Sequence, residues 1–342
     1  LAKLTCRFDD PATIAHPLGV VRYTAAGAPP SIRGGRPALD VHLVRDPAHA
    51  VTEVWTSGRP VTADVRDGIA IGHDGEYAFC AGRVPPAARY APGVRRAYLR
   101  AFGALARLDY PHVFRMWNFV GRINEPNADG LEIYRDFCRG RAEAFDASPL
   151  PRDLLPAATG VGSHTDGIAF FLLARRAPGH VAVENDRQVP AYRYPERYGP
   201  RSPSFARASR LPDGPLLISG TASILGHATA HPGDVAAQCR TTLDHLTTLA
   251  GDLRALRTVK VYVRHARDLA AVRRECAVAF GDEVAYLVTD LCRPDLLVEI
   301  EGVAPHRTDP EVRGGWRSAR LAQQDAQIAG SDACGYGDKL RA

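Results

Sequence analysis

Two glutamates stand two positions apart near the end of Leu291–Gly302, LCRPDLLVEIEG. Successive side chains of an extended strand point to opposite faces, so Glu299 and Glu301 share one face, opposite the strand's apolar side chains. The ordinary reading of that pattern is a half-exposed strand with two solvated acids. Cys292 and Arg293 just upstream point instead to a shared cleft. A carboxyl in a partly dry cleft has a raised pKa and can serve as a general acid.

Two other segments carry chemistry. Ser219–Asp234, SGTASILGHATAHPGD, runs from a strand into a helix N-terminus. Its small residues let a substrate approach the backbone, and free helical N–H groups attract anions. His227 and His231 are four apart, but Pro232 and Gly233 put them in a loop. No H-E-x-x-H motif or cysteine pair completes a ligand set, so structural, hydrogen-bonding histidines are expected and no metal. Tyr192–Ser209, YRYPERYGPRSPSFARAS, mixes three tyrosines with four arginines among turn residues. It reads either as a polar surface loop or as an aromatic-lined pocket whose guanidinium forks hold a carboxylate. Gly160–Ser163 (GVGS) lacks the third glycine and the strand–helix setting of a dinucleotide loop, and Gly220–Ser223 (GTAS) is not a nucleophile elbow. Neither a nucleotide cofactor nor serine-hydrolase chemistry is indicated.

The elements that must position these residues alternate between strand and helix. Strands are expected at Leu39–Val44, Val51–Thr56 and Glu76–Cys80, a helix over Val94–Leu108, a strand at His112–Val120, a helix over Gly130–Phe145 and a strand at Gly167–Ala174. The second half repeats the order. Strands are expected at Ser204–Ser209 and Pro215–Ser219, then a helix capped by Asp234, a strand at Thr258–Val263, a helix from Asp268 through Phe280, and strands at Val284–Thr289 and Leu296–Ile300. The fold class is α/β (α+β), mixed sheets packed with helices. The expected division is 1–175, 176–304 with the acidic strand, and a polar tail over 305–342, with a linker near Ala174–His180.

The chain has 342 residues, 45% hydrophobic and 24% charged, with a net charge of +5. That composition excludes disorder as the main state. Apolar runs such as Gly167–Ala174 fall far short of the ~20 residues of a membrane span. No basic stripe with interleaved aromatics suggests nucleic acid. Seven widely spaced cysteines without a C-x-x-C pair fit reduced thiols, and no basic-then-apolar leader is seen, so a cytoplasmic protein is expected.

Four runs resemble the chorismatases, enzymes of bacterial secondary metabolism: Phe114–Phe145 (FRMWNFVGRINEPNADGLEIYRDFCRGRAEAF), Pro156–Gly167 (PAATGVGSHTDG), Ser219–Gln238 (SGTASILGHATAHPGDVAAQ) and Cys292–Gly302 (CRPDLLVEIEG). The last run also resembles the end of the broader RidA/YjgF-like imine deaminases. The resemblance implies two RidA-like units, with chorismate as substrate and cleavage of its enolpyruvyl ether to release pyruvate. It maps the family's acid to Glu299. A Cys seven residues earlier, here Cys292, goes with 3-hydroxybenzoate as second product. Arg207 maps to a carboxylate partner, and Ala208 to a position where subtypes vary between Ala and Gly. Where RidA-like deaminases carry a substrate-binding Arg this chain has Tyr286, which argues against imine deamination.

The chemistry calls for the same residue types. An enol ether opens when its terminal methylene carbon is protonated, which needs an acid still protonated near neutral pH. Chorismate is a dianion, so two cationic partners are expected; Arg207 and Arg293 are the candidates, with Tyr192 as a hydrogen-bonding wall. Cys292 would assist proton removal or shield an epoxide-like ring intermediate, unless it is a small core residue. No cofactor is required, and a monomer is expected. The alternatives are a hydrolase leaving a dihydroxycyclohexadiene carboxylate, a non-catalytic RidA-like binding module and an imine deaminase.

Overall fold

The computed structural model describes residues 3–148, 154–281 and 283–305. The tail expected over 305–342 lies outside them except for Pro305. No described helix is long and apolar enough to cross a membrane.

The first five strands, β1 (Thr5–Phe8), β2 (Pro17–Thr24), β3 (Ala28–Arg33), β4 (Arg36–His42) and β5 (Val51–Thr56), make a sheet in the order β1-β5-β2-β4-β3. The second sheet uses β6 (Thr62–Arg66), β7 (Ile69–His73), β8 (Tyr77–Val84), β9 (His112–Gly121), β10 (Ala157–Ser163) and β11 (Ile168–Arg175), with helices α1 (Ala91–Arg107) and α2 (Ile133–Asp146) between its later strands. The third uses β12 (Val181–Val183), β13 (Ala208–Arg210), β14 (Leu216–Ala222), β17 (Arg257–Val263), β18 (Val284–Val288) and β19 (Val298–Ala304). A hairpin, β15 (Ile224–Leu225) and β16 (Ala228–Thr229), and helices α3 (Val235–Ala250) and α4 (Leu269–Ala277) are inserted in it.

The second and third sheets have one topology. Their orders, β10-β9-β11-β8-β7-β6 and β12-β13-β14-β19-β17-β18, are the same path written from opposite ends. In each, a helix crosses over between two parallel strands, β9 and β10 or β17 and β18, and the last strand returns antiparallel between earlier ones. The repeat suggested by the strand–helix order is therefore a repeat of topology. Residues 5–56 form a sheet of their own, so the segment 1–175 holds two sheets.

Burial follows this plan. Helices α1 and α2 cover one face of the second sheet through Tyr98, Phe102 and Phe137, and α3 and α4 cover the third through Cys239, Leu246 and Val272. The faces without helices meet the first sheet around Trp55, Trp117, Phe171 and Tyr262. Asp234 caps α3 by accepting from Ala237 N at 2.9 Å, as its sequence position predicts. Helix α4 stops at Ala277, before Phe280, where Phe280 N turns back to Cys276 O.

Candidate active site

The two repeats meet along β10 and β14. Ala158 N donates to Ser219 Oγ at 2.9 Å and Gly220 N donates to Thr159 Oγ1 at 3.0 Å. Beside this seam lies a cavity of about 480 Å³ whose walls include Thr159, Arg141, Arg207, Cys292, Arg293 and Glu299. A register shift in the β14–β19 pairing between Ile218 and Thr221 leaves Ser219 and Gly220 in a bulge. Such bulges re-aim groups beside active sites. Here the bulge lays Gly220 directly under Glu299, and a Cβ at 220 would overlap the Glu299 carboxyl.

Both glutamates of the acidic strand are buried, Glu299 at 3% and Glu301 at 2% exposure. They share a face as the spacing predicts, but that face looks into protein and not into solvent, and the two acids have opposite surroundings. Glu301 receives Lys260 Nζ at 2.7 Å, Trp117 Nε1 at 2.9 Å and Tyr262 OH at 2.9 Å, and is also paired with Arg115 and Thr159 Oγ1. Burial alone would raise its pKa, but Lys260 and Arg115 outweigh it and hold the carboxyl down at about 2. Among the described residues the Glu299 carboxyl makes no hydrogen bond. Burial first, then the charge on Glu301, pushes it up to about 8, against a smaller pull from Arg115 and Arg207. At pH 7 one acid is charged and its neighbour is neutral, the split that gives paired carboxylates different roles.

The cavity's cations are held from several elements. Arg207, 2% exposed, donates to Tyr194 OH at 2.8 Å and Val189 O at 3.1 Å. Arg141 projects from α2, 2% exposed, with its guanidinium 5.1 Å from the Phe137 ring. Nε of each is buried without a hydrogen-bond partner. Buried donors of this kind call for an explanation, and an anion in the cavity supplies one. Arg293 lies 4.2 Å over the Tyr198 ring and donates to His227 O at 2.9 Å. The Cys292 thiol lines the cavity, and burial followed by the Glu299 charge keeps it well above the usual thiol range. It is therefore held as a neutral thiol at the cavity wall.

Three of the expected site residues lie elsewhere. Tyr192, on a short 3-10 turn, is not in the cavity wall; Tyr194, two residues on, takes that place. Ala208 is buried on β13 in the core under α3 and α4, because it alternates with Arg207 and faces away from the cavity. Tyr286 on β18 lies under the Arg273 guanidinium at 4.5 Å and borders a different cavity. His227 sits between the hairpin strands β15 and β16 within reach of Arg197 Nη2 (2.8 Å) and Tyr198 OH (3.1 Å).

The sequence reading missed Arg115, Arg141, Thr159 and Lys260. Arg115 and Lys260 lie on strands whose polar positions look like ordinary alternation. Strand β10 was missed altogether because AATGVGS has no β-branched run. Its Gly162 is required because a Cβ there would meet Thr289 Oγ1 at 2.8 Å and Asp290 O at 2.9 Å.

The comparisons with known proteins agree with this geometry. A family model described as "Chorismatase FkbO/Hyg5-like, N-terminal" matches residues 53–174. A 3-hydroxybenzoate synthase of Streptomyces hygroscopicus is 51% identical over 308 residues, covering 84% of this chain and 91% of that protein. A chorismatase of Streptomyces rapamycinicus is 43% identical over 306 residues, covering 84% and 92%. A crystal structure of a chorismatase superposes with a TM-score of 0.84 at 39% identity, covering 89% of this chain and 98% of that one. The chain belongs to the chorismatase family.

Proposed function

We propose that the protein is a cofactor-independent chorismatase that cleaves the enolpyruvyl ether of chorismate to pyruvate and 3-hydroxybenzoate. The observation that carries this reading is a neutral, buried Glu299 beside two buried guanidiniums with unpaired Nε donors. The 51% identity to a protein named 3-hydroxybenzoate synthase supports the choice of product.

Arg207 and Arg141 or Arg293 take the two carboxylates, with Tyr194 and Tyr198 as walls. Glu299 gives its proton to the terminal methylene carbon, which becomes the methyl group of pyruvate. Positive charge develops on the ether carbon and oxygen, and the carboxylate left on Glu299 stabilises it. The ring carbon–oxygen bond then breaks, and the ether oxygen leaves as the carbonyl of pyruvate. The neighbouring ring hydroxyl closes onto the electron-poor carbon as an epoxide, and its proton replaces the one Glu299 spent. Opening of the epoxide and transfer of the ring proton to oxygen restore aromaticity. Chorismate has the summed composition of pyruvic and 3-hydroxybenzoic acids, so this route consumes no water. The diol route consumes one, and excluding water is therefore the task of the Cys292 wall.

The test is to incubate the protein with chorismate, follow pyruvate and weigh the ring product. Pyruvate with 3-hydroxybenzoate is the expected result. A ring product one water heavier makes the protein the hydrolase, and no pyruvate at all overturns the proposal.

A further inference from the structure

A second cavity, of about 520 Å³, lies where the turn after β4 meets α4 and β18. Four guanidiniums border it: Arg45, Arg264, Arg267 and Arg273. Two imidazoles, His49 and His265, and one carboxylate, Asp46, complete its polar wall.

Local pairing leaves a charge surplus. Asp46 lies 3.7 Å from His49, Asp268 lies 3.9 Å from Arg267, and Asp290 pairs with Arg264 at 2.7 Å. Among the described residues no carboxylate pairs with Arg45 or Arg273. Arg273 instead lies 4.5 Å over the Tyr286 ring, and the positive charge of Arg45 contributes to lowering the pKa of both His42 and His164. Between the cations the wall is apolar: Val44, Leu269, Tyr286 and Val288. Guanidiniums without anionic partners around an apolar, partly aromatic floor suit a flat ring bearing a carboxylate.

The same cavity touches the catalytic wall through Arg264. Arg264 donates from Nη2 to Leu291 O at 3.1 Å and Arg293 O at 2.7 Å, and from Nε to Leu296 O at 2.7 Å. Those carbonyls belong to the loop that carries Cys292 and Arg293 into the first cavity. We propose that this second cavity is a binding site for a small aromatic carboxylate, and that its occupancy is coupled to the catalytic cavity through Arg264. An anion there draws the Arg264 guanidinium from the carbonyls it clamps, and the loop holding Arg293 loosens. The coupling rests on the chorismatase reading; the site itself does not.

Titration calorimetry with benzoate tests the site without any turnover. Two binding sites are expected in the parent. One is lost in Arg45→Ala/Arg273→Ala and the other in Arg141→Ala, with thermal melts confirming that both variants fold. A single site abolished by Arg141→Ala, two sites untouched by the Arg45/Arg273 change, or inorganic phosphate binding the second cavity as well as benzoate would each overturn the site. The coupling is read separately, as a several-fold fall in kcat at saturating chorismate when benzoate is added to the parent but not to Arg45→Ala/Arg273→Ala. Purely competitive inhibition in the parent overturns it. A protein that turns over no chorismate contradicts the proposed function but leaves the calorimetric result standing.

Discussion

At the scale of single residues, Glu299 and Glu301 show how two identical side chains, two positions apart, acquire opposite properties. Glu301 is surrounded by donors and Glu299 by a glycine backbone and another negative charge. Replacing Glu299 by Gln removes the proton donor and lowers kcat by on the order of 10²–10⁴. The same change has a stability signature that does not depend on activity. A carboxyl raised from 4.5 to about 8 in the folded state weakens the fold progressively as pH rises through that window, at roughly 1.4 kcal/mol per unit of displacement. Glu299→Gln therefore melts above the parent, by a margin that widens from pH 5 to pH 8. A constant margin would mean that the carboxyl is not displaced. Glu301 has the opposite sign: its depressed value adds stability above pH 4.5 that is lost as pH falls toward 2. Glu301→Gln leaves Arg115 and Lys260 short of a counter-charge in the core and costs about 3–5 kcal/mol, read from denaturant melts.

At the scale of elements, the site depends on a strand that carries no acid and no base. Thr159 on β10 binds Glu301 through its hydroxyl and accepts from Gly220 N, fixing the bulge on which the Glu299 carboxyl rests. Gly220→Ala places a methyl group where that carboxyl sits, and kcat should approach that of Glu299→Gln while circular dichroism stays that of the parent. Thr159→Val should lower kcat and Thr159→Ser restore it. A Thr159→Val that keeps its kcat while Thr159→Ser loses it would assign the threonine to packing alone. These contacts explain what could be read from sequence and what could not. The acidic strand β19, helix α3 with its Asp234 cap and the alternating β9 announce themselves by period and composition. Strand β10 does not, because its Gly162 answers to Thr289 and Asp290, which are far away along the chain, and its Gly160 to Tyr134 on α2. Tyr192 and Tyr194 are equivalent in composition, and only the turn at 191–193 decides which one faces the cavity.

At the scale of the molecule, the repeat of topology gives the chain an internal seam, and the seam makes the site. The first repeat brings Arg141 and Thr159, with Arg115 behind them on Glu301; the second brings Arg207, Cys292, Arg293 and Glu299. All these walls come from one chain, and we propose that a monomer is active, so specific activity measured across a wide range of protein concentration should stay constant. The resemblance in sequence identified the family because its runs cover both sides of the seam, whereas the role of the first sheet in supplying Glu53 to Lys260 at 2.6 Å was legible only in three dimensions. Product choice also belongs to this scale. Cys292→Ala enlarges the cavity beside the ring, admits water and should shift the product toward the dihydrodiol acid, read by mass; an unchanged ratio makes Cys292 a filler.

The pH dependence of kcat/KM for pyruvate release tests the central claim most directly, measured in the parent and in Glu184→Gln, which removes a second buried carboxyl displaced upward to about 7. If neutral Glu299 protonates the substrate, both proteins hold a plateau through neutral pH and fall tenfold per unit above about 8, and Glu301→Gln moves that break to lower pH. A profile that stays level well beyond pH 8, or a break that disappears with Glu184→Gln, would contradict it.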